Sequence, residues 1–192
     1  MDEVIPAHTA ARPHACLAVA LVGFMGAGKT TVGQRLAARL GWRFADLDQL
    51  IEAREQRTIE QIFRETGEAE FRRMERLAVR EAIDSLEHGS LVLALGGGAF
   101  IEPGVQQCLR EAQIPAVFLD APLAELFRRC EQPGVERPLR RDQEQFRKLY
   151  ERRRPEYLKA TVCIETAGKK IADVAQEIMS ELNLVPVSGA CD

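Results

Sequence analysis

Residues 17–40 read LAVALVGFMGAGKTTVGQRLAARL, and this stretch decides the fold. Its first six residues are an unbroken apolar run, which is typical of a strand buried on both faces. A glycine-rich turn follows. The next stretch, from Lys29 to Leu40, predicts a helix, with Gly41 at the C-terminal cap position. The segment therefore predicts one strand–loop–helix unit of an α/β fold.

The turn from Gly23 to Thr30 matches the pattern GxxxxGK[ST] and is called the phosphate-binding loop below. Glycines let the backbone curl so that several N–H groups point at a phosphate, and the dipole of the following helix adds positive potential. In this pattern the lysine carries positive charge for the outer phosphates, and the threonine hydroxyl binds Mg²⁺. The sequence therefore predicts an ATP and Mg²⁺ site that includes Gly26, Ala27, Gly28, Lys29, Thr30 and Thr31.

The rest of the chain continues the alternation of strand and helix. Helical segments separate four further apolar segments that predict strands, at residues 43–47, 91–95, 115–119 and 162–165. Such alternation implies a central five-stranded parallel sheet covered by helices on both faces, a three-layer α/β sandwich. In these folds ligands bind at the carboxyl ends of the strands, and both glycine motifs of the chain follow strands there.

Composition limits the class of protein. The chain has 192 residues and a formal net charge of −3, which fits one domain and argues against a nucleic-acid partner. No apolar run is long enough for a membrane span, and the acidic start does not resemble a signal peptide. The five cysteines and three histidines are scattered, so we expect free thiols in a reducing cytoplasm and no metal site built from histidine.

Prolines, glycines and stretches without periodicity predict where the domain and its flexible segments begin and end. Residues 1–15 are expected to form a flexible arm, residues 16–182 one domain, and residues 183–192 a frayed tail. Residues 131–142 are polar and hold two prolines, one glycine and three arginines, which predicts a mobile lid loop. The helix that follows the lid is crossed by Pro155, where a kink or break is expected.

Five short motifs follow the phosphate-binding loop in order. They are FADLD at 44–48, FRRME at 71–75, LALGGG at 93–98, RPL at 137–139 and an arginine shortly before PEY at 155–157. Each is weak alone, but the ordered series resembles the shikimate kinase family from about residue 17 to 182. The resemblance implies a P-loop kinase fold with a mobile lid. It also implies transfer of the γ-phosphoryl of Mg-ATP to the 3-hydroxyl of shikimate, a step in aromatic amino acid biosynthesis.

The resemblance also implies roles for the acidic and FRRME motifs. Asp48 matches the residue that contacts substrate hydroxyls and orients or deprotonates the nucleophile, and Asp46 matches the one that reaches Mg²⁺. Without the family, this pair also fits a solvated acidic turn or helix start. Arg72 matches the arginine that holds the substrate carboxylate, for which a planar guanidinium is suited. Glu75 lies on the same helix face and is placed to orient Arg72; an exposed amphipathic helix is the alternative for this motif.

The glycine triplet (Gly96, Gly97 and Gly98) matches the segment that brings bare backbone close to the substrate ring. A plain turn between strand and helix is the alternative. Arg137 in the lid matches a catalytic and nucleotide-binding arginine that reaches the transferring phosphate or the substrate and neutralises charge as the loop closes.

Two more arginines are carried over from the family. Arg153 aligns best with a second arginine for the substrate carboxylate, but Arg152 and Arg154 leave that assignment open by one position. Arg129 aligns with a residue that stacks near adenine, and a solvated helix face is the alternative.

The chain departs from the family pattern in and after the lid, where Arg140 replaces a leucine and Leu-Lys-Ala follows Tyr157. These changes leave the predicted substrate class unaltered.

We expect a monomer. Two rival functions remain: a P-loop kinase for gluconate or a nucleoside monophosphate, and a ligand sensor without catalysis.

Overall fold

The computed structural model describes residues 18–131 and 142–187. The predicted arm, most of the predicted lid with Arg137, and the last five residues of the predicted tail lie outside this part of the chain. The strands are β1 Ala18–Val22, β2 Arg43–Asp46, β3 Leu91–Ala94, β4 Ala116–Asp120 and β5 Val162–Glu165. The helices are α1 Lys29–Leu40, α2 Leu47–Glu55, α3 Ile59–Asp84, α4 Pro103–Glu111, α5 Leu123–Cys130, α6 Gln143–Tyr157 and α7 Ile171–Glu181.

The five strands form one parallel sheet in the order β2-β3-β1-β4-β5, with helices on both sides. The predicted fold class is thereby confirmed. Strand β1 lies at the centre and every one of its residues is buried, which explains its unbroken apolar sequence. Helix α1 packs on α7, and α3 packs on α2 and α4.

The register of the sheet brings the two glycine motifs side by side. Leu21 of β1 pairs with Ala94 of β3, and the backbone N–H of Leu95 donates to the carbonyl of Leu21 at 2.9 Å. The phosphate-binding loop and the glycine triplet therefore leave neighbouring strands at the same edge of the sheet. Asp46, at the end of β2, is paired with Ala94 and lies at that edge too.

Helix ends follow the local chemistry of the sequence. Gly41 ends α1 in the left-handed conformation, with φ 69°. Thr58 and Gln61 form a reciprocal capping box at the start of α3. Gly67, with φ 78°, interrupts the helical backbone inside α3 and kinks the helix there. Asp46 caps α2, so this helix begins at Leu47, directly after β2.

The regions near the C-terminus differ from expectation. A kink or break was expected at Pro155; helix α6 includes this proline and ends two residues later, so a break there is wrong. Proline removes one helical hydrogen bond, but the fully buried ring of Tyr157 holds the last turn against the core. In the predicted tail, Leu184 is buried and the N–H of Val187 donates to the carbonyl of Leu40 at 3.0 Å, so ordered contacts continue to residue 187.

Within the described residues, no helix is both long and apolar enough to cross a membrane.

We predict that Gly33→Ala destabilises the fold. A Cβ at this position in α1 would lie 2.5 Å from the ring of Phe44 and 3.2 Å from Cδ1 of Leu21. Glycine to alanine in a helix normally stabilises by roughly 0.5–1 kcal/mol. Here we expect a loss of about 1–3 kcal/mol in the free energy of unfolding, because the core is overpacked. Urea unfolding measures it.

The matched control is Ala38→Gly at an exposed position of the same helix, which is expected to cost about 1 kcal/mol through helix propensity alone. A Gly33→Ala variant more stable than the wild type would contradict the packing described here.

Candidate functional site

A cleft of about 1170 Å³ lies at the carboxyl edge of the sheet. It is lined by the phosphate-binding loop, the starts of α1 and α2, the middle of α3, the glycine triplet and one face of α6. Every predicted site residue that the structure describes lies on this cleft: Gly26, Ala27, Gly28, Lys29, Thr30, Thr31, Asp46, Asp48, Arg72, Gly96, Gly97, Gly98, Arg129 and Arg153. Arg137 lies outside the described residues. Within the described residues, five motifs that are distant in sequence therefore meet at one place: the phosphate-binding loop, FADLD, FRRME, LALGGG and the arginine before PEY.

The backbone of the phosphate-binding loop has a shape that requires glycine. Gly26 has φ 82°, and a Cβ there would lie 2.6 Å from the carbonyl oxygen of Leu126 in α5. Gly28, with φ 88°, caps α1 and accepts from the N–H of Val32 at 2.8 Å. Lys29 Nζ donates to the carbonyls of Gly23 and Phe24 at 2.9 and 3.1 Å. The ammonium is thus held inside the loop, at the helix N-terminus where phosphate binding is favoured.

A threonine–aspartate pair adjoins the loop. Thr30 Oγ1 donates to Asp46 Oδ2 at 2.8 Å, and Asp46 Oδ1 accepts from the backbone N–H of Asp48 at 3.1 Å. Asp46 ends β2 and caps α2, which places Asp48 in the first turn of that helix. A hydroxyl and a carboxylate are oxygen donors of the kind that Mg²⁺ accepts alongside water and phosphate oxygens, so the pair fits this ion.

The glycine triplet leaves room for three charged side chains. A Cβ on Gly96 would lie 2.4 Å from Asp48 Oδ1, and a Cβ on Gly98 would lie 2.7 Å from Arg72 Nη1. A Cβ on Gly97 would lie 3.8 Å from Arg153 Nη1, which is an ordinary contact distance. Only glycine at the first and third positions therefore allows the aspartate and the arginine to approach this backbone.

Arg72 is held by two carboxylates of its own helix. Its Nη1 donates to Glu75 Oε2 at 2.5 Å and its Nη2 donates to Glu68 Oε1 at 3.1 Å. Only 1% of Glu75 is exposed. Burial raises the pKa of Glu75 to about 7, and the positive charge of Arg72 opposes the shift. The orienting contact predicted for Glu75 is therefore present, and it involves a buried acid.

A second arginine that reaches the cleft is Arg153. Its Nη1 donates to the carbonyl of Gly97 at 3.2 Å, whereas Arg154 donates to Asp120 at 2.7 Å and Arg152 is exposed away from the cleft lining. Of the three alternatives, the structure thus places Arg153 in the cleft. Burial and, to a smaller extent, the positive charge of Arg72 lower the pKa of Arg153. The two guanidinium groups are therefore close enough to repel each other.

Arg129 lies at the other end of the cleft. Its Nε donates to Glu125 Oε1 at 3.0 Å, and Nη1 lies 3.4 Å from the carbonyl of Gly26. The side chain is half-buried against the phosphate-binding loop, so a plain solvated helix face does not describe it. Its lining neighbours there include Thr166 and Lys169.

Sequence reasoning missed two kinds of residue. The rings of Phe63 and Phe71 lie 4.3 Å apart and form an apolar wall beside Arg72; the kink at Gly67, between them in sequence, was the available signal. Tyr157 is fully buried, and its hydroxyl donates to the carbonyl of Gly97. Burial raises the pKa of Tyr157 to about 12, so it remains a donor at neutral pH. Its place in the PEY motif gave no hint of this contact.

Comparison with known proteins agrees with this geometry. The protein-family model for shikimate kinase matches residues 25–183. The chain belongs to the shikimate kinase family. The resemblance predicted from five ordered motifs is thereby confirmed. The family match begins inside the phosphate-binding loop and ends after α7, so it includes every described residue of the cleft.

Individual relatives cover most of the chain. Shikimate kinase of Thermus thermophilus is 40% identical over 173 residues, which is 88% of this chain and 92% of that protein. The crystal structure of shikimate kinase from Bacteroides thetaiotaomicron matches with a TM-score of 0.79 and 30% identity, over 88% of this chain and 99% of that one. The enzyme from Acinetobacter baumannii in complex with shikimate matches with a TM-score of 0.76 and 34% identity, over 86% and 92%.

We predict a pH-dependent stability that originates at Glu75. Its pKa is about 7 in the folded protein and near 4.5 in the unfolded chain, so the folded state holds a proton that the unfolded chain has released. Stability from this proton is complete below pH 4.5 and is lost as the pH rises through 7. Relative to Glu75→Gln, the wild type should lose roughly 2–3 kcal/mol of unfolding free energy between about pH 5 and 8.

Urea unfolding of both proteins at several pH values measures this difference, and pH effects common to both proteins cancel. A difference that stays constant across the range, or that grows in favour of the wild type, would show that Glu75 is ionised in the folded protein throughout.

Proposed function

We propose that this protein transfers the γ-phosphoryl group of ATP to the 3-hydroxyl of shikimate, giving shikimate 3-phosphate and ADP. One observation carries the proposal: Asp48, Arg153 and Arg72 converge on the glycine triplet, beside a phosphate-binding loop. The arrangement offers two cations and one acid within a single cleft. A ring that bears both a carboxylate and hydroxyl groups matches these charges.

The two arginines support recognition of a carboxylate. They repel each other across a partly buried space, and an anion between them relieves that repulsion. Arg72 is fixed by Glu75 and Glu68, and Arg153 by the carbonyl of Gly97, so little side-chain ordering remains to be done on binding. A guanidinium also offers parallel donors to both carboxylate oxygens.

The opposite side of the cleft supports phosphoryl transfer. We assign Lys29 and the loop N–H groups to the phosphates, and Thr30 with Asp46 to Mg²⁺. When bound, the ion shields negative charge on the phosphates. Asp48 would orient the substrate hydroxyl and accept its proton as the new O–P bond forms and the bond to the leaving ADP oxygen breaks. We further assign Arg129 to the adenine end and Arg137 to the transferring phosphate.

The setting of the protein is also part of the proposal. Among the described residues, Cys108, Cys130 and Cys163 form no disulfide, which supports a reducing, cytoplasmic compartment. We expect the enzyme to act as a monomer, because every charged group proposed here comes from the same chain.

We predict that Arg72→Lys weakens shikimate binding by about 1.5–3 kcal/mol, or roughly 10- to 150-fold in KM, since a lysine cannot reproduce the bidentate contact. A coupled assay of ADP release with shikimate as acceptor measures this. The KM for ATP should change little, because Arg72 lies at the glycine triplet, away from the phosphate-binding loop.

Arg73→Lys is the matched control. Arg73 is the next residue of α3, is exposed, and pairs along its own helix with Glu70 at 2.6 Å. It should leave both KM values within about twofold. A wild type that does not phosphorylate shikimate would refute the proposed function, and equal effects of the two substitutions would refute the role of Arg72.

A further inference from the structure

Phe24 belongs to the phosphate-binding loop but does not line the cleft. Its side chain is 1% exposed, and its ring packs edge-on against two rings of α6. The centroid of Phe146 lies 4.9 Å away at an interplanar angle of 84°, and that of Tyr150 lies 5.4 Å away at 79°. These are favourable geometries for aromatic pairs. The ring of Phe24 therefore packs the phosphate-binding loop against helix α6.

The same ring also meets the arginine assigned to the substrate. The guanidinium carbon of Arg153 lies 6.0 Å from the ring centroid of Phe24, at the limit of a cation–π contact. Tyr150 and Arg153 are three residues apart on α6 and so share one face of the helix. The position of Phe24 therefore helps to set where Arg153 stands against the carbonyl of Gly97.

The backbone of Phe24 faces the other ligand. Its carbonyl accepts from Lys29 Nζ at 3.1 Å and from the N–H of Ala27 at 3.2 Å. A bound phosphate competes with this carbonyl for the lysine ammonium, because an anion is the stronger acceptor. The hydrogen bonding of residue 24 therefore changes when the outer phosphates bind, while its ring remains in contact with α6.

We propose that Phe24 is a positioning residue that couples the occupancy of the phosphate-binding loop to the placement of Arg153. The carbonyl responds to the phosphates through Lys29, and the ring transmits the response to α6 through Tyr150 and Phe146. The inference rests on the proposed function, since it takes Arg153 as a ligand of the shikimate carboxylate. It predicts that nucleotide and shikimate each strengthen binding of the other, by the same factor.

Tyr150 allows the ring contact to be separated from its other role. Its hydroxyl donates to Asp120 Oδ1 at 3.2 Å, and Arg154 also holds Asp120, at 2.7 Å. Tyr150→Phe removes only the hydroxyl and keeps the ring against Phe24. Tyr150→Leu removes both. Both substitutions are made at a residue that does not itself line the cleft.

The experiment is calorimetric titration of shikimate into the protein, with and without saturating Mg-ADP. The ratio of the two dissociation constants is the coupling factor. For the wild type and Tyr150→Phe we expect a factor of about 5 or more, within the usual range for coupled sites. For Phe24→Leu and Tyr150→Leu we expect a factor near 1. The affinity of Tyr150→Leu for Mg-ADP alone should stay within about twofold of the wild type. A variant whose nucleotide site is simply damaged would instead bind Mg-ADP more weakly.

Three outcomes overturn the inference and leave the proposed function intact. They are a wild-type factor near 1 when both ligands bind, a Leu variant that keeps the wild-type factor, and a Tyr150→Phe variant that loses as much as Tyr150→Leu. If Phe24→Leu does not fold, Tyr150→Leu decides alone, because its ring is only half-buried. A wild type that binds Mg-ADP but not shikimate refutes the proposed function itself, and the inference with it.

Discussion

The close approach of charged side chains to bare backbone at the glycine triplet is the constraint on which the cleft depends. A methyl group at Gly96 or Gly98 would occupy the space now held by Asp48 or Arg72. Those two side chains come from α2 and α3, and the triplet from the end of β3. The sheet therefore fixes the glycine triplet as the floor of the cleft, and the two helices bring one acidic and one basic side chain against it. Because β3 is hydrogen-bonded to β1, the floor also has a fixed distance from the phosphate-binding loop.

Burial of charge around this floor has a cost that the pairing only partly offsets. Glu75 is almost completely buried beside Arg72, and desolvation outweighs the attraction between them in setting its pKa. Arg153 is likewise disfavoured in its charged form by burial and by Arg72. Such tension is common where a site is prepared for an ionic ligand. In our account the substrate carboxylate supplies the missing negative charge, so binding relaxes the cleft rather than straining it.

Much of this could be predicted from the sequence, and the limits have physical causes. The strands, the sheet class and the phosphate-binding loop follow from apolar runs and glycine spacing, which are local signals. The choice among three consecutive arginines needed the structure, because helical phase alone did not say which face of α6 meets the triplet. Pro155 predicted a kink or a break, but α6 continues past it because the burial of Tyr157 two residues later outweighs one lost hydrogen bond. The contacts of Phe24 with α6 join residues more than 120 positions apart, beyond any local pattern.

Acceptor selectivity tests the central claim most directly. The measurement is ADP release from Mg-ATP with shikimate, gluconate, AMP and CMP as separate acceptors, compared as kcat/KM. We predict turnover with shikimate and none above background with the other three, because only shikimate combines a ring hydroxyl for Asp48 with a carboxylate for Arg72 and Arg153. Preferred turnover with gluconate or a nucleotide would contradict the assignment of the cleft at the glycine triplet to shikimate. The assignment of the phosphate-binding loop to ATP would still stand.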